Sequence, residues 1–361
     1  MGLFKLAWMS KNTNKAKKAV EREMDQSRLL EIALKAPEIL IRKLAVEKLT
    51  DENLIYRAAK CDEWMVRDEA VSKINNQTML EDILKYEKNS LVRESAVLKL
   101  ENQEIIKFIA INDDSELVRE AAVNILTDQP GLEEVALNED NFEIRKIAAA
   151  KVENQEAILH MAKNDSLEYI RVLAVRKLTD QPALCEIAIN DASAAVRLRA
   201  VEKLFNQITL LEAAENDGDG IVRAIAASRL DDKSILWEIA KNEENLYVRK
   251  TAIERVENQP TLKYIVENDS DFDMRALAMS KLKDKPALLE IAKSSDKKYW
   301  RVCEEGDGED YERWVEDMRI TALDKISDKN SLLDVTENAQ DENLRSLACE
   351  KLKRLEPESI D

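Results

Sequence analysis

The chain contains a single histidine, His160. Zinc sites built on two or three histidines are thereby excluded, and one residue remains that could serve as the base of a nucleophilic triad. The cysteines Cys61, Cys185, Cys303 and Cys349 lie 124, 118 and 46 residues apart, with no metal-ligand or redox spacing between them. Free thiols in a reducing cytoplasm account for that pattern. Asp217-Gly-Asp-Gly and Glu305-Gly-Asp-Gly look like fragments of a calcium loop, but neither completes the twelve-residue pattern. No glycine-rich phosphate loop occurs. These residue types point to no enzyme, no cofactor and no metal. The formal net charge of −17 argues in the same direction against nucleic acid, because sequence-independent binding needs Lys and Arg facing phosphate.

A repeat positions all of these residues. Blocks such as IRKLAVEKL at Ile41, VREAAVNIL at Val118, IRVLAVRKL at Ile170 and VRKTAIERV at Val248 recur twelve times, each with an arginine at its second position. These arginines are Arg42, Arg67, Arg93, Arg119, Arg145, Arg171, Arg197, Arg223, Arg249, Arg275, Arg319 and Arg345. Nine of their eleven spacings are 26, the first is 25, and Arg275 to Arg319 is 44. Counting the arginine as zero, apolar or small residues fall at −1, +3, +4 and +7, one face of a helix, and +3 is Ala in all twelve copies. Ala there lets neighbouring helices approach closely, and a larger side chain would overpack the contact.

A second apolar stripe lies at +13, +16 and +17. Between the stripes sits Asp or Asn, then Gln and often Pro, as in Asp180-Gln181-Pro182: an N-cap followed by a first helical turn. After the second stripe comes Asn-Asp, as in Asn190-Asp191, which predicts a left-handed C-cap at Asn and a cap for the next helix at Asp. Each repeat is thus expected to hold a helix A of roughly eleven residues and a helix B of roughly nine. Neither is long enough to be stable by itself, so each must bury its stripe against the next copy. Residues 16–26 form a thirteenth, degenerate copy, with Ala16 in place of the arginine and Glu23 in place of the aliphatic +7 residue.

This pattern resembles the HEAT-like and leucine-rich-repeat-variant helical repeats. The resemblance covers roughly residues 16–356. It implies an all-α fold, a right-handed α-solenoid of about thirteen two-helix repeats with a 26-residue period. It also implies that helix B lines a concave face, and that the protein works as a non-catalytic scaffold for another protein. The alternative within the resemblance is a DNA-glycosylase-type enzyme on nucleic acid, which the acidic charge disfavours. The expected domain organisation is a basic and apolar arm over 1–15 and one solenoid over 16–361, interrupted by an 18-residue insert within 293–317.

Three features are candidates for contact with a partner. Position +15 of helix B is acidic in eight of twelve copies, among them Glu134, Glu186, Glu212 and Glu238, with Tyr264, Phe108, His160 and Arg57 at the others. Such a row suits a basic or amphipathic protein segment. The insert gathers Tyr299, Trp300, Tyr311 and Trp314 in a chain with few aromatics, and insertions in solenoids map to inter-repeat loops. The arm carries Leu3, Phe4, Leu6, Trp8 and Met9 ahead of Lys11, Lys15, Lys17 and Lys18. It could touch an anionic membrane, cap the first repeat or dock on the acidic body. The arginine and the Lys or Arg at +6 are expected to be structural, the arginine pairing with the acid six residues before it, such as Asp191 with Arg197.

Overall fold

The structure, a computed structural model, describes residues 7–305 and 312–355. These form twenty-five α-helices and one two-stranded antiparallel hairpin. Helices A and B alternate as expected, for example Glu168–Lys177 followed by Gln181–Asn190, and most run to ten residues. The chain divides into two compact units at Thr179/Asp180, and within each, helices of adjacent copies pack on one another. No helix among the described residues is long and apolar enough to cross a membrane.

The core is built from the predicted positions. The twelve alanines at +3, from Ala45 to Ala348, are all buried. Position +7 is also buried in every copy but the last, and in those copies it does not extend the helix. Leu178, for instance, is the C-cap of helix A with φ −66° and ψ 134°, an extended residue that turns its side chain inward as the chain leaves the helix. Helix B then starts as the sequence indicates. The Asp180 carboxylate accepts from the Ala183 amide at 2.7 Å, with Pro182 in the first turn.

The far end of helix B corrects the sequence expectation. Asp191 is an extended C-cap at φ −65° and ψ 136°, not the partner of a left-handed Asn190. Asn190 stays within helix B, and the chain leaves it through the extended Asp191. The N-cap of the next helix A lies two residues further on, at Ser193, Asn141 or Asp219.

The degenerate first copy begins earlier than expected, as the helix Thr13–Arg22, capped by Asn12 and held to the next copy by the Thr13 hydroxyl on Glu38 at 2.8 Å. Trp8 is buried, so this apolar residue of the arm is not available to a membrane. The insert also departs from expectation. It is not a plain loop but a hairpin of β1 (Trp300–Glu305) and β2 (Glu312–Asp317), with Val302 opposite Val315 and Cys303 opposite Trp314.

Candidate functional site

The residues that recur once per repeat are tied to the neighbouring repeat. In Arg197, Nε and Nη2 donate to the two carboxylate oxygens of Asp217 at 2.7 and 2.8 Å, while Nη1 donates to the Asp191 carbonyl at 2.9 Å. The expected Asp191–Arg197 ion pair is therefore replaced by a bond to the Asp191 backbone. The carboxylate partner stands twenty residues downstream. Asp191 and Asp217 both end B helices, so the guanidinium fastens two consecutive helix C-termini, where a cation is favoured. The same geometry holds for Arg67 with Glu87, Arg93 with Asp113, Arg119 with Glu139, Arg223 with Glu243 and Arg249 with Asp269.

Burial would raise the carboxyl groups of Glu87, Asp113, Glu139, Asp217 and Glu243. The arginine, together with a backbone amide two residues on, more than offsets this and holds each below its ordinary value.

The amine at +6 forms a second ladder. Lys151 Nζ donates to the carbonyls of Val123, Asn124 and Leu126 at 2.9, 2.6 and 3.2 Å. Those oxygens are the unsatisfied end of the preceding helix A. Lys73, Lys177 and Lys325 do the same in their own places, and burial pushes all four amines down. Gln at the start of helix B makes a third ladder. Gln129 donates to the Lys151 carbonyl at 3.3 Å and accepts from the Glu153 amide at 3.0 Å.

The insert interrupts the first ladder but not the second. Lys325 still reaches the carbonyls of Met279, Ser280 and Leu282, so the A helices stack across the hairpin. Arg275 instead donates to the Lys298 carbonyl, and its buried Nε has no partner among the described residues.

The candidate chemistry is placed as follows. His160 is exposed beside a cleft of about 290 Å³, and its ring makes no hydrogen bond among the described residues. Cys61 borders a cleft of about 460 Å³ with Lys60, Asp82 and Tyr86, and burial pushes its thiol up, away from the thiolate a nucleophile needs. In the same cleft Lys60 and the Tyr56 hydroxyl both bond Asp82, which raises the amine and lowers the carboxyl. Asp217 is taken by Arg197, and Asp219 caps the Gly220–Ser228 helix. Among the described residues no cluster of ligating side chains could hold a metal ion.

Of the predicted partner-binding residues, Glu134 is exposed on the Gln129–Asn138 helix of the first unit, and Glu186, Glu212, Glu238 and Tyr264 are exposed on four successive B helices of the second. Tyr299 is corrected to a buried residue. It ends the turn that leads into β1, and burial, then Glu267 and Asp296, drive its phenol upward. Trp300 lies in β1 and Trp314 in β2, while Tyr311 lies outside the described residues. Sequence reasoning missed an exposed apolar residue two places before the ladder arginine, seen at Leu40, Met65, Leu91, Leu117, Tyr169, Ile221 and Tyr247. Its 26-residue recurrence was the available signal.

No family model matches the chain and no curated protein matches it. Among solved structures, the X-ray structure of YibA from E. coli is similar at 19% identity over 74% of this chain and 97% of that one, with a TM-score of 0.31. At that level of likeness the match bears on neither function nor partner.

Proposed function

We propose that this protein is a non-catalytic scaffold that binds another protein through the exposed row of its B helices. The observation that carries the proposal is one of division. The regularly recurring Arg, Lys, Gln and the acids that face them are occupied in fastening one repeat to the next, whereas position +15 lies outside those three ladders and is exposed at Glu186, Glu212, Glu238 and Tyr264 of the second unit. Tyr264 stands on that row at 48% exposure, an aromatic ring available for a contact, and Phe108 holds the same position in the first unit at 66%. The acids around them favour a basic or amphipathic segment. An intracellular location fits the free thiols Cys61, Cys185 and Cys349.

The test is capture from the native host with the full chain immobilised, comparing wild type with Glu186→Lys/Glu212→Lys/Glu238→Lys. The expected result is a protein with a basic segment that is retained by wild type and lost in the triple variant. Identical capture by both would refute the B-helix row as the binding surface.

A further inference from the structure

The first exposed turn of helix A carries a second patterned surface. Within the first compact unit, Met65, Leu91 and Leu117 stand one repeat apart at 37%, 42% and 37% exposure. Three residues further along the same helices come Asp68, Glu94 and Glu120, so an apolar row and an acidic row run side by side across three repeats. The fold does not require the apolar side chains. Glu143 and Asp273 hold the same position in ten-residue helices, the length of those that carry Met65 and Leu117.

Asp68, Glu94 and Glu120 stand near one another with no cation paired to them among the described residues. Ladder acids have their arginine. In the B-helix row, Asp82 pairs with Lys60 at 2.8 Å, Glu290 with Lys263 at 2.6 Å and Asp334 with Lys293 at 2.8 Å. Lys43 is taken by Glu69 at 3.1 Å. Asp68 accepts a hydroxyl from Ser95 at 2.5 Å, whereas the carboxylates of Glu94 and Glu120 meet no cation among the described residues. Glu94 is half-buried, and its burial, then Asp68 and Glu120, raise its carboxyl. The chain leaves this repulsion unrelieved, and a cation from outside would relieve it.

We propose that Met65, Leu91, Leu117, Asp68, Glu94 and Glu120 form a docking surface for an amphipathic helix of a partner protein, one that presents an apolar side chain per heptad flanked by Lys or Arg. The charge specifies the flanks. The spacing specifies the heptad: packed helices lie ~8–10 Å apart, and seven helical residues rise ~10.5 Å, so one apolar contact per heptad stays in register over three repeats. The proposal rests on the reading of the chain as a protein-binding scaffold but uses a face other than the B-helix row.

The probe is a fluorescein-labelled 21-residue helical peptide with Leu at one position per heptad and Lys or Arg at its neighbours, titrated by anisotropy against the full chain. The wild type should bind it with an affinity that falls as salt rises. Leu91→Ser/Leu117→Ser and Glu94→Lys/Glu120→Lys should each weaken binding at least tenfold, with unchanged circular dichroism. Glu186→Lys/Glu212→Lys/Glu238→Lys should leave it unaltered, which separates this surface from the B-helix row. A peptide of the same composition with Leu every fifth residue should bind at least tenfold more weakly. Glu94→Gln should melt no lower than wild type, since its charge opposes the fold.

Equal binding of the respaced peptide, or undiminished binding by either double variant, would overturn the proposal. A lower melting temperature for Glu94→Gln would also do so, by giving the carboxylate a structural role. So would a wild-type dimer that Leu91→Ser/Leu117→Ser dissolves, because a second copy would then be the occupant.

Discussion

At the scale of the residue, small differences between repeats have local consequences. Most A helices run through +6 and end on an extended residue. Three do not: Ser90–Val97, Ala194–Val201 and Gly220–Ser228 end early, on a C-cap in the right-handed helical region. In each case the next repeat lacks the +6 lysine and carries Ile125, Arg229 or Arg255 instead. A lysine amine reaches three carbonyls at once, as Lys151 does, whereas Arg229 meets one, the Leu204 carbonyl. Replacing Ile125 by Lys should therefore complete the end of the Ser90–Val97 helix and stabilise the chain by ~1 kcal/mol, to be read from urea denaturation. The buried Ala148 works in the opposite sense. Ala148→Leu should overpack the helix contact and cost ~1–3 kcal/mol in the same assay.

At the scale of the element, the arginine ladder couples stability to pH. The carboxyls of Glu87, Asp113, Glu139, Asp217 and Glu243 are held below their ordinary values in the folded chain. A depressed folded pKa contributes stability that is complete above the unfolded value and lost as pH falls through the folded one. The melting temperature should hold from neutrality to about pH 5 and then fall steeply below the ordinary carboxylate range, about pH 4. A variant carrying Gln at Glu87, Glu139 and Glu243 should start lower and show a shallower fall.

The ladder also shows where sequence reasoning runs out. The stripes, the alanines and the Asp180-Gln181-Pro182 type of cap were legible because each is a pattern inside one helix or turn. The arginine's partner was not. With a 26-residue period, the acid six before Arg197 and the acid twenty after it are the same rung of one ladder, so spacing cannot choose between Asp191 and Asp217. Only packing decides that the nearer acid gives its carbonyl and the farther one its carboxylate. The hairpin had a signal that the repeat obscured: alternating runs at Trp300–Glu305 and Glu312–Asp317 flank a Gly-Asp-Gly segment, the signature of two strands and a turn. The buried place of Tyr299 had none, because nothing in an aromatic-rich insert distinguishes a packed ring from an exposed one.

At the scale of the whole molecule, stability is expected to be a sum of repeats and the contacts between neighbours. The copies around the hairpin should be a weak link of their unit, since Arg275, unlike Arg249, meets no carboxylate among the described residues. Hydrogen exchange should be faster in the Phe272–Lys281 helix than in Leu246–Arg255, whose arginine is fully paired. The most direct measurement of the account is hydrogen exchange of Arg119→Gln against wild type. Its central claim is that the recurring charged residues are fasteners between adjacent repeats rather than a binding site. Removing Arg119 leaves Glu139 buried and unpaired, a loss of ~3–5 kcal/mol. Protection should then fall in the Gln103–Asn112, Glu116–Ile125 and Gln129–Asn138 helices and remain at wild-type level in Gln26–Lys35. Unchanged exchange around position 119 would contradict the account.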